Sequence, residues 1–341
     1  MVSKINFKTQ ESFLGVYDYN LADKFFEFIT INRPFLGGKK NYILSSKNAK
    51  VLGRSNIILN SNNVASLDSL VFSFQKDKIF GIEHSDFILD NQTKPVFNYV
   101  LEKNIDSAVF IGSNPNIGHW IFNHVLKIAF LNEEQKNLKF LVSDNNIPKR
   151  YLDFFNLLRF RNEIIFLQKS VLYNIDNIIL PMMPWHTSAS GFVSFCPNII
   201  TYLRKFTIKN KNKEDTNIFI SRKRALRRNL LNEAELVNYL KKKNFQIIFL
   251  EDLTLDRQIE IGNQAKNVIC PWGASSNFLF FMNDNTNFID LCPRKMMNVI
   301  PMFCKYSKVN YYPISGRLSD ESDPLDSDFL IDLNELKKFF P

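Results

Sequence analysis

Residues Asn217–Leu250 read NIFISRKRALRRNLLNEAELVNYLKKKNFQIIFL. Two short apolar runs, NIFIS at 217–221 and QIIFL at 246–250, have the length and flanks of buried strands. Between them, Asn232 and Glu235 have the Asn-x-x-Glu spacing of a helix start, which predicts a helix over Glu233–Lys243. The strand–helix–strand unit then continues. A helix is expected over Leu255–Ala265, a strand over Val268–Pro271, a turn at Gly273, a helix over Ser275–Met282 and a strand over Phe288–Leu291. Alternation at this pace requires right-handed crossovers and a parallel sheet.

Upstream the same alternation starts at Ala108. Strands are expected over Ala108–Gly112, Leu138–Val142, Ile164–Leu167 and Ile178–Pro181. A helix over Gly118–Leu131 carries Trp120, Ile121, Val125, Ile128 and Ala129 at helical spacing, and a second, Pro148–Leu158, has proline in its first turn. This is the pattern of a doubly wound α/β half. The proline-rich stretch Pro181–Pro197 reads as a crossover, followed by a helix near Pro197–Ile208 and a hydrophilic stretch, Lys209–Thr216. Lys50–Phe74 breaks into short strands (VLGRS, IILN, VASL, LVFSF) separated by Asn and Ser turns, a β-rich entry segment capping or padding the first domain. Phe329–Phe340 is expected to be a helix, with Asp332 and Glu335 at capping-box spacing, packing back on the first domain. The expected organisation is thus α/β, with Rossmann-like domains at 1–195 and 196–325 and a C-terminal helix at 326–341.

A chain of 341 residues with 45% hydrophobic and 23% charged residues is long enough for two folded domains and excludes a disordered chain. Its longest apolar runs, such as Phe278–Met282 and Ile178–Met183, are far short of the ~20 residues of a membrane span. Met1–Gln10 is polar and lacks a signal-peptide core, so a cytoplasmic placement is expected. Cys196, Cys270, Cys292 and Cys304 are scattered without metal-ligand spacing, which favours free, mostly buried thiols. The net charge of +9 favours an anionic partner: nucleic acid, anionic lipid or a phosphorylated substrate.

Three constellations could carry chemistry. Ser221, Arg222, Lys223, Arg224, Arg227 and Arg228 follow a strand's C-terminal end and lead to Asn232 and Glu233 at a helix start. Ligands of open α/β sheets bind just outside strand carboxyl ends. Guanidinium forks and helix N–H groups there suit a pyrophosphate. A solvated basic loop or a nucleic-acid patch is the competing reading. Next, Trp272, Gly273, Ala274, Ser275, Ser276 and Asn277 form a small-residue turn into a helix, where backbone and hydroxyls can approach a phosphate. Finally, Asn116 to Trp120 (NIGHW) opens a helix after a strand, placing His119 where a general base could act. A capping or backbone-bonded histidine is the alternative. His124 reads as structural, and His186, after Trp185, is a further candidate. His84 beside Glu83 and Asp86 lacks a second nitrogen or sulfur ligand for a metal. No P-loop and no Gly-x-Gly-x-x-Gly is present. Asp326-Ser327-Asp328 matches the Asp-x-Asp signature of metal-dependent sugar transferases but reads as acids capping a following helix. No cofactor and no metal are expected.

On these stretches the chain resembles glycosyltransferase family 61. Lys47–Ser55 (KNAKVLGRS) is similar to the family's entry segment and Asn116–Trp120 to its Asn/His helix opening. Ser221–Glu233 (SRKRALRRNLLNE) is close to its most distinctive motif, and Val268–Phe281 (VICPWGASSNFLFF) to its His-Gly-Ala turn. The spacing between these two, with Gln258 before Ala265, also fits. The resemblance implies two Rossmann-like domains facing a cleft (GT-B), donor binding mainly in the second, metal independence and inversion at the sugar carbon. By motif position, Ser221, Arg222, Arg227 and Arg228 would surround the donor diphosphate, and Gly273 to Asn277 would hold the donor from below; Asn232, Glu233 and Trp272 are further expected donor-binding residues. Asn116, Trp120 and His186 would lie on the acceptor side. The chain departs from the family in two places. Trp272 stands for the usual His, so stacking of the indole on a base or sugar would replace that contact. Asn123 stands where the first helix often carries an acid that would assist His119.

The expected activity is transfer of a sugar from a nucleotide-sugar donor, UDP-linked, to a hydroxyl of a growing surface polysaccharide or glycolipid, as in capsule or lipopolysaccharide synthesis. Its net charge fits a peripheral position against anionic lipid at the inner face of the membrane. The rival is a non-catalytic basic binding protein for nucleic acid or anionic glycan. Against it, the basic residues converge on one strand–helix crevice and form no stripe.

Overall fold

The computed structural model describes residues 3–6, 8–9, 29–31, 43–53, 55, 57–65, 74–75, 78–79, 87–89, 95–143, 147–181, 185–187, 193–208, 215–293, 299–323 and 326–340. The chain divides into two compact units, Met1–Ile199 and Ile200–Pro341. Among the described residues no helix is long and apolar enough to cross a membrane.

The second unit holds one six-stranded sheet. Its strands lie in the order Phe245–Ile248, Thr216–Ile220, Ala265–Pro271, Asn287–Pro293, Asn310–Leu318, Phe329–Ile331. The first five run parallel and the last antiparallel. Ile218, Phe219, Ile220, Val268, Ile269 and Cys270 are fully buried, as apolar runs in a parallel sheet covered on both faces should be. Helices Glu233–Lys242 and Leu255–Gln264 form as their patterns predict, the second capped by Thr254, whose hydroxyl accepts from the Arg257 N–H. The expected helix after Gly273 is a 3₁₀ helix, Ala274–Phe281.

At the strands' N-terminal ends the register is pinned by an asparagine ladder. Asn267 donates to Asn217 at 2.7 Å, Asn287 to Asn267 at 2.7 Å, and Asn310 to Asn287 at 3.0 Å. These positions are aligned across four adjacent strands, so each amide has a partner at the spacing the sheet imposes. The buried Asn263 ties the helices together, its Nδ2 lying 2.8–3.0 Å from the carbonyls of Thr207, Ile259 and Phe281.

Two sequence expectations are corrected here. The Asn232 side chain makes no cap bond; its Nδ2 donates to the Ile331 carbonyl at 2.9 Å. Phe329–Phe340 is not one helix. Phe329–Ile331 is an edge strand, and only Leu333–Lys337 is helical, with the Asp332 side chain capping it. Leu333 and Leu336 join Leu240, Phe245 and Phe329 in the second unit's core, and Phe340 stands edge-on to Phe245 at 5.0 Å. Burial alternates along Phe329, Leu330 and Ile331, a period of two that a helical reading of the segment overlooks.

In the first unit an eight-stranded mixed sheet runs Ile164–Leu167, Lys139–Ser143, Leu101–Phe110, Val171–Pro181, Ile43–Leu52, Ile58–Leu59, Val64–Ala65, Lys8–Thr9. The first four strands are parallel. A strand that starts before the expected β-rich entry segment, Ile43–Leu52, pairs antiparallel along Val171–Pro181, and Ala49 and Val51 enter the core beside Tyr173 and Ile175. Val171–Pro181 follows Ile164–Leu167 after three residues with no crossover helix, so this half departs from a regular doubly wound unit. The helix expected over Gly118–Leu131 is irregular: Ile117–His119 is α, Trp120–His124 π and Val125–Phe130 3₁₀. The distortion accompanies two side-chain bonds to one carbonyl, that of Ile111 at the strand end. It accepts from His124 Nδ1 at 2.8 Å and from Lys127 Nζ at 3.0 Å.

Candidate functional site

The second sheet's order, with strand two outside strand one and strand three on its other side, puts a topological switch point between Thr216–Ile220 and Ala265–Pro271. Ligands of such sheets bind beyond the carboxyl ends of those two strands. Ser221 and Arg222 leave the first; Trp272 and Gly273 leave the second.

Arg222 lies directly on Gly273. A Cβ on that glycine would meet Arg222 Nη1 at 2.2 Å and Cζ at 2.7 Å, and its φ of +152° is one that side-chain-bearing residues avoid. The guanidinium reaches Ser275 Oγ at 3.5 Å and the Arg227 carbonyl at 3.4 Å. Arg228 comes from the other side, its guanidinium 4.6 Å over the Trp272 ring. Both arginines keep a buried Nε–H with no hydrogen-bond partner. Burial is the leading cause that lowers both pKa values, and neighbouring arginines add to it. Desolvated like charges with spare donors are the arrangement that an anion between them stabilises.

Other residues of the motif build the frame. Ser221 Oγ donates to Glu233 Oε1, fastening strand end to helix start. Asn232 holds Ile331, and Asn277 Nδ2 donates to the Ala274 carbonyl at 2.6 Å within its own helix. Arg227 turns to Asp326 at 2.5 Å, and Arg224 to Asp252 at 2.7 Å with its guanidinium over Phe249. Of the expected donor-side residues, Arg222, Arg228, Trp272, Gly273 and Ser275 are thus brought together, with Ala274 and the buried Ser276 in the adjoining turn. Ser221, Asn232, Glu233 and Asn277 support them. Trp272 is buried, and Arg228 covers one face of its indole.

The acids of Asp326-Ser327-Asp328 do not cap a helix, since a strand follows. Asp326 pairs with Arg227, and Asp328 Oδ1 accepts from the Asn229 N–H at 2.7 Å. Among the described residues no group of three or more His, Cys, Asp or Glu is placed to hold a metal ion. Glu83, His84 and Asp86 lie outside the described residues.

In the first unit, Asn116 accepts from the Gly118 N–H at 2.9 Å and so caps the helix opening. Trp120, expected on the acceptor side, is a core residue. It is fully buried, donates from Nε1 to the Tyr151 carbonyl at 2.9 Å and stacks on Tyr151. His119 is half-buried, and its Nδ1 lies 3.0 Å from Asn123 Nδ2. Burial pushes its pKa down to about 4, so the ring is neutral near pH 7. With the amide N–H donating to Nδ1, the ring proton sits on Nε2. Turning the amide over would present Oδ1, which is buried and unpaired, and move the proton to Nδ1. The backbone of Trp185–Thr187 runs beside Trp120–His124, which brings the His186 position to this strand end; its side chain is outside the described residues.

Sequence reading missed Lys127, whose buried amine reaches the same strand end, and Asp290. Asp290 is buried in a central strand, with Oδ2 accepting from the Tyr311 hydroxyl at 3.0 Å and Oδ1 unpaired. Its burial pushes the pKa up to about 7. An unfolded chain releases this proton near pH 4, so the carboxyl's contribution to stability falls as pH rises from about 4 to 7 and stays lost above. Asp290→Asn, which keeps an acceptor for Tyr311, is therefore expected to be more stable than the parent at pH 8 by up to a few kcal/mol. Urea unfolding at both pH values should show that gap narrowing at pH 5; a constant gap would reject this account.

Cys270, Cys292 and Cys304 are free thiols, and Cys196, Cys270 and Cys304 are buried. Burial raises the Cys270 and Cys292 thiols to about 12, so they stay protonated and unreactive.

A search of curated proteins finds no match to the chain. The family model described as Glycosyltransferase 61 matches residues 117–289. That span runs from the His119 helix opening through the arginine loop and the Gly273 turn, and it covers half of the chain: the chain belongs to glycosyltransferase family 61.

Proposed function

We propose that this glycosyltransferase is an inverting enzyme needing no divalent cation, which moves a sugar from a UDP-linked donor to a hydroxyl of a growing surface polysaccharide or glycolipid. The GT-B arrangement and a peripheral position at the inner face of the membrane belong to the same proposal. One observation carries it: two half-buried arginines, each with a buried, unpaired Nε–H, meet at the switch point, Arg222 on a glycine that leaves room for it and Arg228 over the neighbouring Trp272 ring. As the glycosidic bond breaks, negative charge gathers on the leaving diphosphate. Arg222 and Arg228 are already desolvated and in place, so they stabilise that charge without reorganising. Asp326 and Asp328, the residues with metal-site spacing, are engaged with the arginine loop. His119 is the candidate base for the acceptor hydroxyl. It acts from Nε2 when Asn123 Oδ1 holds the proton-bearing Nδ1, and its low pKa makes it a weak base that is always unprotonated at neutral pH.

Thermal melting with a panel of nucleotides and nucleotide sugars, with and without EDTA, tests the reading. One nucleoside diphosphate should stabilise the protein by about 2.7 kcal/mol at 100 times its Kd, unchanged by EDTA. Stabilisation by oligonucleotides alone would overturn it in favour of a nucleic-acid-binding protein.

A further inference from the structure

Arg228 has a left-handed backbone, φ +57°, a conformation costing a residue with a side chain roughly 1 kcal/mol. The amides around it are held by the C-terminal segment. The Arg228 N–H donates to the Asp326 carbonyl at 3.3 Å. The Asn229 N–H donates to Asp328 Oδ1 at 2.7 Å, and Asn229 Nδ2 reaches the same oxygen at 3.2 Å. In return the Phe329 N–H donates to the Asn229 carbonyl at 3.0 Å, and the Leu231 N–H to the Phe329 carbonyl at 2.8 Å. Asn232 closes the seam on Ile331. The strained residue is the one whose guanidinium lies on Trp272 beside Arg222.

We infer that Asp328 is a positioning residue: its carboxylate captures the Asn229 amide, imposes the left-handed turn at Arg228, and so holds that guanidinium at the anion site. The inference rests on the proposed diphosphate site. Asp326 is a weaker candidate for the task. Its Oδ2 pairs with an exposed Arg227 side chain, an arrangement that contributes little, and its Oδ1 lies 3.8 Å from Arg228 Nη2, a longer contact to the guanidinium that does not hold the backbone turn. Asp328 instead satisfies a partly buried backbone N–H that would otherwise lose its partner. The Asp-x-Asp spacing therefore serves to orient arginines, where the same spacing elsewhere holds a cation.

The test compares Asp328→Ala with Asp328→Asn, which keeps an acceptor oxygen for Asn229. Titration calorimetry with inorganic pyrophosphate and with UDP reads the site, trypsin cleavage after Arg222–Arg228 reads the loop, and thermal melting reads the fold. Asp328→Ala should bind both probes about tenfold more weakly, the equivalent of one lost amide bond. It should also be cut faster in the loop and melt within a few degrees of the parent, and Asp328→Asn should behave as the parent does. Parent-like affinity in Asp328→Ala, or equal impairment in both variants, overturns the inference while leaving the diphosphate site standing. A parent protein that binds neither pyrophosphate nor UDP overturns the site itself, and the inference with it.

Discussion

Replacing Arg222 by alanine is expected to lower kcat/KM and nucleoside diphosphate affinity by about 10²–10³-fold, the range seen when one preorganised donor to developing charge is lost. The melting temperature should barely move. Arg222 makes its protein contacts at 3.4 and 3.5 Å, near the outer limit of a hydrogen bond, so the fold draws little from them. Arg222→Lys should restore only part of the loss, because an ammonium is a point charge without the planar fork. Charge reversal, Arg222→Glu, should abolish binding. Calorimetry with UDP on each variant decides the matter: unchanged affinity in Arg222→Ala would remove this arginine from the site.

Gly273→Ala should be as damaging, by a different route. The added methyl falls 2.2 Å from Arg222 Nη1 and 2.7 Å from Cζ, so the guanidinium must leave its place. The backbone, at φ +152°, adds strain of about 1–3 kcal/mol. Activity should drop at least as far as in Arg222→Ala, with a measurable loss of stability as well. The double variant separates the two effects. If the glycine exists to admit the guanidinium, Gly273→Ala should cost little further activity once Arg222 is alanine. Additive losses would mean that the turn serves the site in some other way.

How much of this was legible beforehand varies by element. Thr216–Ile220, Glu233–Lys242 and Leu255–Gln264 were readable because buried parallel strands are plain apolar runs and the helices between them carry amphipathic spacing. The arginine loop and the Gly273 turn were readable as a candidate site from residue type and position after a strand. Individual roles were not. Arg222 and Arg227 look alike in sequence, yet one is half-buried on Gly273 and the other is paired with Asp326 at the surface. Asn232 has the spacing of a cap and spends its amide on Ile331 instead. Trp120 sits in a motif beside His119 but fills the core.

By itself, then, the sequence determined the α/β alternation of the second unit, the strand ends that carry the candidate site, and the family. These follow from local patterns, since an apolar run or a glycine after a strand means much the same in any fold. Only the tertiary structure decided what distant segments do to each other. It paired Ile43–Leu52 with Val171–Pro181 and aligned Asn217, Asn267, Asn287 and Asn310 into one ladder. It also brought Asp328 to Asn229, 99 residues apart. A hydrogen-bond donor fixes the need for a partner but not its identity, and which of many polar side chains supplies it depends on how the sheet brings remote strands together.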